Sequence, residues 1–336
     1  MTVNINPRGL QFVRVAIAKA LAEDDAMAAR SAAVRRWGQG SQPEVILRAI
    51  GAATYGDVGD EFAAATTEFF ALVAQQTVVG RMAGIRRVPL RVRLLNTVSG
   101  SSAYWVGEGM PKPVSKAVYA ADTLAALKVA SLSVVTHELL QSPDLDSEMA
   151  IRRDMARSIV ETIDVAFLDP ANAGVADVSP ASITNGVVPI AATADAGADL
   201  KALAAAFAGD LDTAYFIMSP ALGASLSSAD RPNVGARGGE LLGVPVLASR
   251  SAPAGTIVLA DAAGIALGEA EAEIRTSRQA SIEMLDAALV QDATTGVGTE
   301  MASLFQANSA AILTERAVNW QVARPGSVAL ITGAAY

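Results

Sequence analysis

Tyr104-Trp105-Val106-Gly107-Glu108-Gly109-Met110-Pro111-Lys112-Pro113-Val114-Ser115-Lys116 decides the fold when it is read with its flanks. Gly107 and Gly109 open positive φ to the backbone, and Pro111 and Pro113 fix φ elsewhere. A basic β-type run, Val88 to Leu95, precedes the stretch, and an apolar, hydroxyl-rich run, Leu124 to Thr136, follows it. Together they predict two strands joined by an extended β-hairpin loop over residues 88–130, polar at its tip. A loop of this length without its own secondary structure is usually functional or disordered.

Toward the N-terminus, residues 9–36 read as one amphipathic helix, with Phe12, Val15, Ala16, Lys19 and Ala22 at helical spacing. Trp37-Gly38-Gln39-Gly40-Ser41-Gln42-Pro43 ends it. Two further helices are expected, Glu44 to Ala53 and Glu61 to Gln76. This third of the chain carries little apolar mass of its own and is expected to pack on something else.

Toward the C-terminus, Thr136-His137-Glu138-Leu139-Leu140 leads to Ser142-Pro143-Asp144, a helix start. Ile151, Met155, Ile159, Ile163 and Phe167 then recur at every fourth position, with Arg152, Arg153, Asp154, Arg157 and Glu161 on the other faces. This long helix, 147–168, stops at Asp169-Pro170. Residues 171–198 read as loop, and Leu200, Leu203 and Phe207 mark a short helix. Short β-type runs follow at Tyr215 to Met218, Val244 to Ala248 and Thr256 to Leu259. Longer ones span Ser277 to Ala288 and Ser303 to Val322, joined by Gln291 to Gly298. The fold class is α+β.

Composition narrows the function. The chain has 336 residues, half of them apolar, with few aromatics and no cysteine. Disulfides, thiolate metal sites and cysteine nucleophiles are excluded. No run of 18 uncharged apolar residues occurs, so no transmembrane helix is expected. Met1 to Arg8 lacks a basic-then-apolar export signal, and synthesis in the cytoplasm is expected. High apolar content without a membrane span fits burial against further copies of the same chain. Charge is uneven. Residues 1–93 carry 12 Lys/Arg and 8 Asp/Glu, net +4; of the full 26 and 34, the remainder carries 14 and 26, net −12. The overall −8 does not suit a reader of nucleic-acid sequence.

Catalytic motifs lack parts. His137-Glu138-Leu139-Leu140-Gln141 has Gln141 where a zinc helix needs its second histidine, and His137 is the chain's one histidine. That also removes most histidine-assisted nucleophile schemes. Gly107-Glu108-Gly109 opens like a dinucleotide loop, but Lys112 stands at the third glycine and no βαβ unit surrounds it. No catalytic residue, metal or cofactor is assigned. Arg81, Arg86, Arg87, Arg91 and Arg93 form the densest basic cluster. They read either as a solvated strand face or as a patch answering acidic surfaces of neighbouring subunits, and the second reading is preferred because the cluster abuts the long loop.

Several segments occur in an order that resembles the major capsid proteins of tailed phages. They are Arg81 to Pro89, Trp105 to Pro113, Thr136 to Leu140, Val178 to Gly186, Arg237 to Val246, Leu304 to Asn308, Thr314 to Arg316, Asn319-Trp320 and Arg324-Pro325. That fold is shared with herpesvirus shells and with encapsulins, which supply the alternative of a compartment enclosing cargo protein. The resemblance implies an N-terminal helical segment and arm (1–87) and the extended loop (88–130). It further implies a peripheral domain (131–194 and 271–324) with the spine helix, an axial domain (195–270) and a C-terminal strand (325–336). Function follows as an expectation: a structural, non-enzymatic subunit of an icosahedral shell, arranged in pentamers and hexamers around double-stranded DNA. Expected partners are copies of itself and portal, scaffold and decoration proteins, and the expected location is the virion of a tailed phage or phage-derived particle. Trp105, Gly107, Glu108, Gly109, Lys112 and Lys116 become candidate inter-subunit residues. Some members cross-link through a Lys–Asn bond helped by a Glu, for which Lys112, Lys116 and Glu108 are the loop candidates. Many members also lose an N-terminal segment to a protease, and residues 1–80 are of that general kind.

Overall fold

The computed structural model describes residues 7–22, 25–51, 59–99, 104–108, 110, 118–142, 144–283 and 301–336. Helices come first: α1 Leu10–Leu21, α2 Ala26–Trp37, α3 Gln42–Gly51, α4 Gly59–Gln76 and the one-turn α5 Val78–Arg81. Strands β1 Arg86–Val88, β2 Arg93–Ser99, β3 Val118–Thr123 and β4 Lys128–Thr136 follow, then α6 His137–Gln141 and α7 Leu145–Leu168. Next are β5 Ile190–Ala191, α8 Ala196–Ala206, β6 Ala214–Met218, α9 Pro220–Ser225, β7 Val234–Gly235, β8 Gly238–Leu241, β9 Val244–Ala248 and β10 Ile257–Asp261. The chain ends with β11 Ile265–Ser277, β12 Ser281–Glu283, β13 Met301–Ser303, β14 Ser309–Val322 and β15 Val328–Thr332.

Two compact units divide the described residues. One takes Met1–Val73, Ala130–Ile159 and Glu271–Arg316; the other takes Ala74–Val129, Val160–Ala270 and Ala317–Tyr336. A four-stranded sheet runs β1-β11-β14-β4, and a seven-stranded sheet runs β5-β15-β10-β6-β9-β8-β7. The C-terminal β15 is thus an interior strand of the larger sheet, antiparallel to β10 and parallel to β5.

The single helix expected over 9–36 is two helices. Asp25 interrupts it: its carboxylate accepts from the Met27 and Ala28 N–H groups and caps α2. The N-terminal third also has a core, contrary to the sparse one expected. In α1, Leu10, Phe12, Val13, Val15, Ile17 and several alanines are buried. Phe12 stacks on Phe69 at 4.5 Å and meets Phe70 edge-on. Alanine hid this core, because small side chains let helices approach closely without large apolar residues. Gly9 opens α1 at φ 74°, and a Cβ there would stand 3.1 Å from the Phe69 Cα.

In the second unit, β6 and β10 form the centre of the large sheet. Phe216, Met218, Ile257 and Leu259 bury one face against Leu200 and Leu203 of α8. β8 and β9 turn through Leu242 (φ 54°) and Gly243 (φ 81°), two residues at positive φ as a tight hairpin requires.

The spine helix is present as α7, two residues longer at its start than expected. Ile151, Met155, Ile159, Ile163 and Phe167 are all buried. In the second unit, Phe167 meets Trp320 edge-on at 5.3 Å, and the Trp320 Nε1 donates to the Ala181 carbonyl.

Candidate functional site

The loop expected from sequence is carried by a two-stranded ribbon. β2 and β3 are antiparallel, in register from Arg93 opposite Thr123 to Thr97 opposite Tyr119, with an irregularity before Ser99. The run Val88 to Leu95 is therefore not one strand. It breaks at Arg91, which has φ 63° and donates its N–H to the Leu124 carbonyl. Leu124 and Ala266 are buried beside it, with Val88, Leu90 and Ala323 packed on them. This small core anchors the ribbon base, so the loop beyond it needs no core of its own.

The described part of the tip is not polar, as had been expected. Tyr104, Trp105, Val106 and Met110 are exposed, Trp105 completely. The Met110 N–H donates to the Gly107 carbonyl across a turn that includes the exposed Glu108. Hydrogen bonding and proline content drew attention to the polar residues; the apolar ones, spaced without period, gave no strand or helix pattern. Gly109, Lys112 and Lys116 lie outside the described residues. A cluster of large apolar side chains at solvent is what an interaction surface presents.

The five arginines have different environments. Arg81 is half-buried; its guanidinium donates to the Ala248 carbonyl at 3.0 Å, and burial lowers its pKa against the opposing pull of Asp164. Arg87 pairs with Glu269 at 3.0 Å on the neighbouring strand. Arg86, Arg91 and Arg93 are exposed and have no ion-pair partner among the described residues.

His137 begins α6 behind the Thr136 cap, and the Gln141 amide donates to its Nε2 at 2.7 Å. Gln141, the residue that broke the zinc motif, is thus the imidazole's neighbour one turn on. A pocket of about 110 Å³ lies at Arg278, Gln279, Leu304, Phe305, Asn308 and Ser309. It falls well under the roughly 300–1,000 Å³ of small-molecule sites. No helix among the described residues is long and apolar enough to cross a membrane.

Sequence reading missed a buried ionic cluster in the first unit. Glu148 of α7 is 2% exposed. Its Oε2 accepts from Arg14 Nε at 2.7 Å, and its Oε1 accepts from Trp37 Nε1 at 2.8 Å with Arg36 Nε at 3.5 Å. Arg14 and Arg36 both lie over the Trp37 ring, and burial lowers the Arg36 pKa while Glu148 opposes that shift. Glu148 reads from sequence as an ordinary acidic first turn; only the fold brings the distant cations to it.

Comparison with known proteins agrees with this geometry. The family model described as "Phage capsid family" matches residues 63–333. The "Capsid polyprotein" of Pseudomonas phage PAJU2 is 37% identical over 324 residues, covering 87% of this chain and 48% of that protein. The chain therefore spans about half the length of that curated relative. Among solved structures, a chain from Gordonia phage Cozz is similar with a TM-score of 0.53 at 17% identity, covering 78% of this chain and 87% of that one. A chain from Mycobacterium phage Cain gives 0.52 at 20% identity, covering 77% and 90%. A chain of the capsid of a native GTA particle gives 0.50 at 15% identity, covering 78% and 91%. These structural likenesses establish the fold, while the family match and the phage relative establish kinship: the chain belongs to the phage capsid family.

Proposed function

We propose that this chain is the major structural subunit of an icosahedral shell, set in pentamers and hexamers around double-stranded DNA in a tailed-phage or phage-derived virion. The observation that carries the reading is the loop on the β2–β3 ribbon, whose Tyr104, Trp105, Val106 and Met110 are at solvent on a chain of this family. Large apolar side chains held out on a ribbon lose water only when another surface covers them. A second copy of the chain is that surface, and every copy then offers the same contact. Trp105, Gly107, Glu108, Gly109, Lys112 and Lys116 are the loop's inter-subunit residues. The cluster Arg81, Arg86, Arg87, Arg91 and Arg93 supplies the charged part of the interface, with Arg86, Arg91 and Arg93 its outward members. The seven-stranded sheet with α8 and α9 is the axial domain, and α7 is the spine of the peripheral domain. The role is structural rather than catalytic. Portal, scaffold and decoration proteins are the further partners, and assembly follows synthesis in the host cytoplasm. A net charge of −8 favours enclosing DNA over gripping it.

The test is electron microscopy of the purified chain across concentration and salt. Closed shells or capsomers are expected. A stable monomer under every condition would sink the reading.

A further inference from the structure

The N-terminal helices are built into the first unit. Phe12 of α1 is fully buried against Phe69 and Phe70 of α4. Val15 and Ala18 pack with Ala29 and Ala33 of α2 and with Ile46 and Leu47 of α3, so these helices share one core. Arg30 of α2 pairs with the buried Glu44 of α3 at 2.7 Å.

Polar bonds then fasten this bundle to distant sequence. Both Glu148 carboxylate oxygens are taken by N-terminal donors, Oε2 by Arg14 and Oε1 by Trp37. Arg36 donates to the Leu140 and Ser142 carbonyls at the end of α6. Arg152 of α7 donates back to the Arg8 carbonyl at 2.6 Å. Removing α1–α3 would uncover the Phe69 and Phe70 rings and strip a buried carboxylate of its donors, an outcome that costs a folded unit heavily. All of α1–α3 precedes residue 63, where the family match opens.

We propose that α1–α3 are a permanent part of the subunit, clasped through Glu148, and that proteolytic trimming of this chain stops ahead of Gly9. A segment meant for removal would be attached through exposed contacts. Here it supplies core and buried charge. The inference rests on the shell reading only for its second measurement.

The first measurement is limited trypsin digestion of the purified full chain, followed by native size-exclusion chromatography and mass spectrometry. Proteolysis reports local opening. The bond after the exposed Arg8 should be cut early, whereas those after Arg14, Lys19 and Arg36 should resist. After any cut between α3 and α4, the α1–α3 fragment should co-elute with the remainder. Glu148→Gln keeps an acceptor but removes the charge, and cleavage after Arg14 should rise several-fold. A species beginning beyond residue 51 that stays soluble and keeps the full chain's melting temperature would overturn the proposal. Unchanged cleavage of Glu148→Gln would overturn the clasp. The second measurement is the intact mass of the subunit in purified particles, where a start beyond residue 51 would also overturn it. If no particles form, the shell reading fails while the trypsin result still decides this one.

Discussion

Asp164 sits where three segments of the second unit meet. Its carboxylate accepts from the Val78 N–H at 2.8 Å and from the Ser249 hydroxyl at 2.9 Å, with Arg81 of α5 as the charge facing it. Burial pushes its pKa up from 3.8 to about 6, against those hydrogen bonds and Arg81. A raised acid pKa means that folding favours the protonated form. The stabilisation is complete below about pH 3.8 and is lost as pH rises through about 6. Two pKa units correspond to about 3 kcal/mol. Asp164→Asn keeps an acceptor for Val78 and a group that can pair with Ser249, but it does not titrate. The wild type should therefore lose more melting temperature than the variant between pH 5 and pH 8. Parallel curves would show that Asp164 stays ionised throughout. The same helix gives a second test. Ile159 is 2% exposed and Arg157 is exposed. Ile159→Asp buries an unpaired charge and should cost several kcal/mol, whereas Arg157→Ala should cost less than about 1 kcal/mol. Denaturant unfolding of the subunit compares them, and equal losses would contradict the face assigned to α7.

The loop is the element whose behaviour separates folding from assembly. Trp105 touches no core, and the ribbon is held at its base by Leu124, Ala266 and their neighbours. Trp105→Ala should leave subunit melting within about 0.5 kcal/mol of wild type, the usual range for surface changes. Particle yield should fall sharply, because exposed aromatics are the residue type that dominates interfaces. Lost subunit stability with normal particle yield would reverse the assignment. Among the elements, α7 was legible because its apolar residues recur every fourth position on a helix long enough to average out exceptions. The ribbon was legible from β-type runs on either side of a glycine–proline stretch. β11 was not: Gly268-Glu269-Ala270-Glu271-Ala272-Glu273 alternates like a strand but consists of residues depleted in strands. The β run expected from Ser277 instead begins at Ile265, and within the described residues it resumes only as β12. Residues 284–288 of that run lie outside the described residues. The split between α1 and α2 was hidden in Glu23-Asp24-Asp25, where an acidic run resembles a solvated helix face and only Asp25 acts as the cap. The Glu148 clasp could not be read at all, since its partners lie more than 100 residues away in sequence.

At the scale of the whole molecule, the net charge of +4 over residues 1–93 faces −12 over the rest, an imbalance that one chain can answer only in part. The structure sorts the basic cluster accordingly. Arg81 bonds within its own unit and Arg87 pairs with Glu269, which leaves Arg86, Arg91 and Arg93 pointing outward. Exposed charge pairs are individually weak, on the order of 0–1 kcal/mol. A shell repeats each of them in every copy, so small contributions accumulate across the particle while the isolated subunit barely registers them. Replacing Arg86, Arg91 and Arg93 together with Gln should therefore lower particle yield and leave subunit melting almost unchanged. Raising salt should bring the wild type toward the variant, because exposed charges are screened over about 10 Å at 0.1 M. A patch that faced DNA instead would spare empty shells and affect only filled ones, with a salt dependence set by the number of phosphates it neutralises. Particle yield with and without packaged DNA, measured for both proteins across a salt series, separates the two. Normal yield of empty shells from the triple variant at low salt would reject the inter-subunit role of these arginines and assign them to the interior surface.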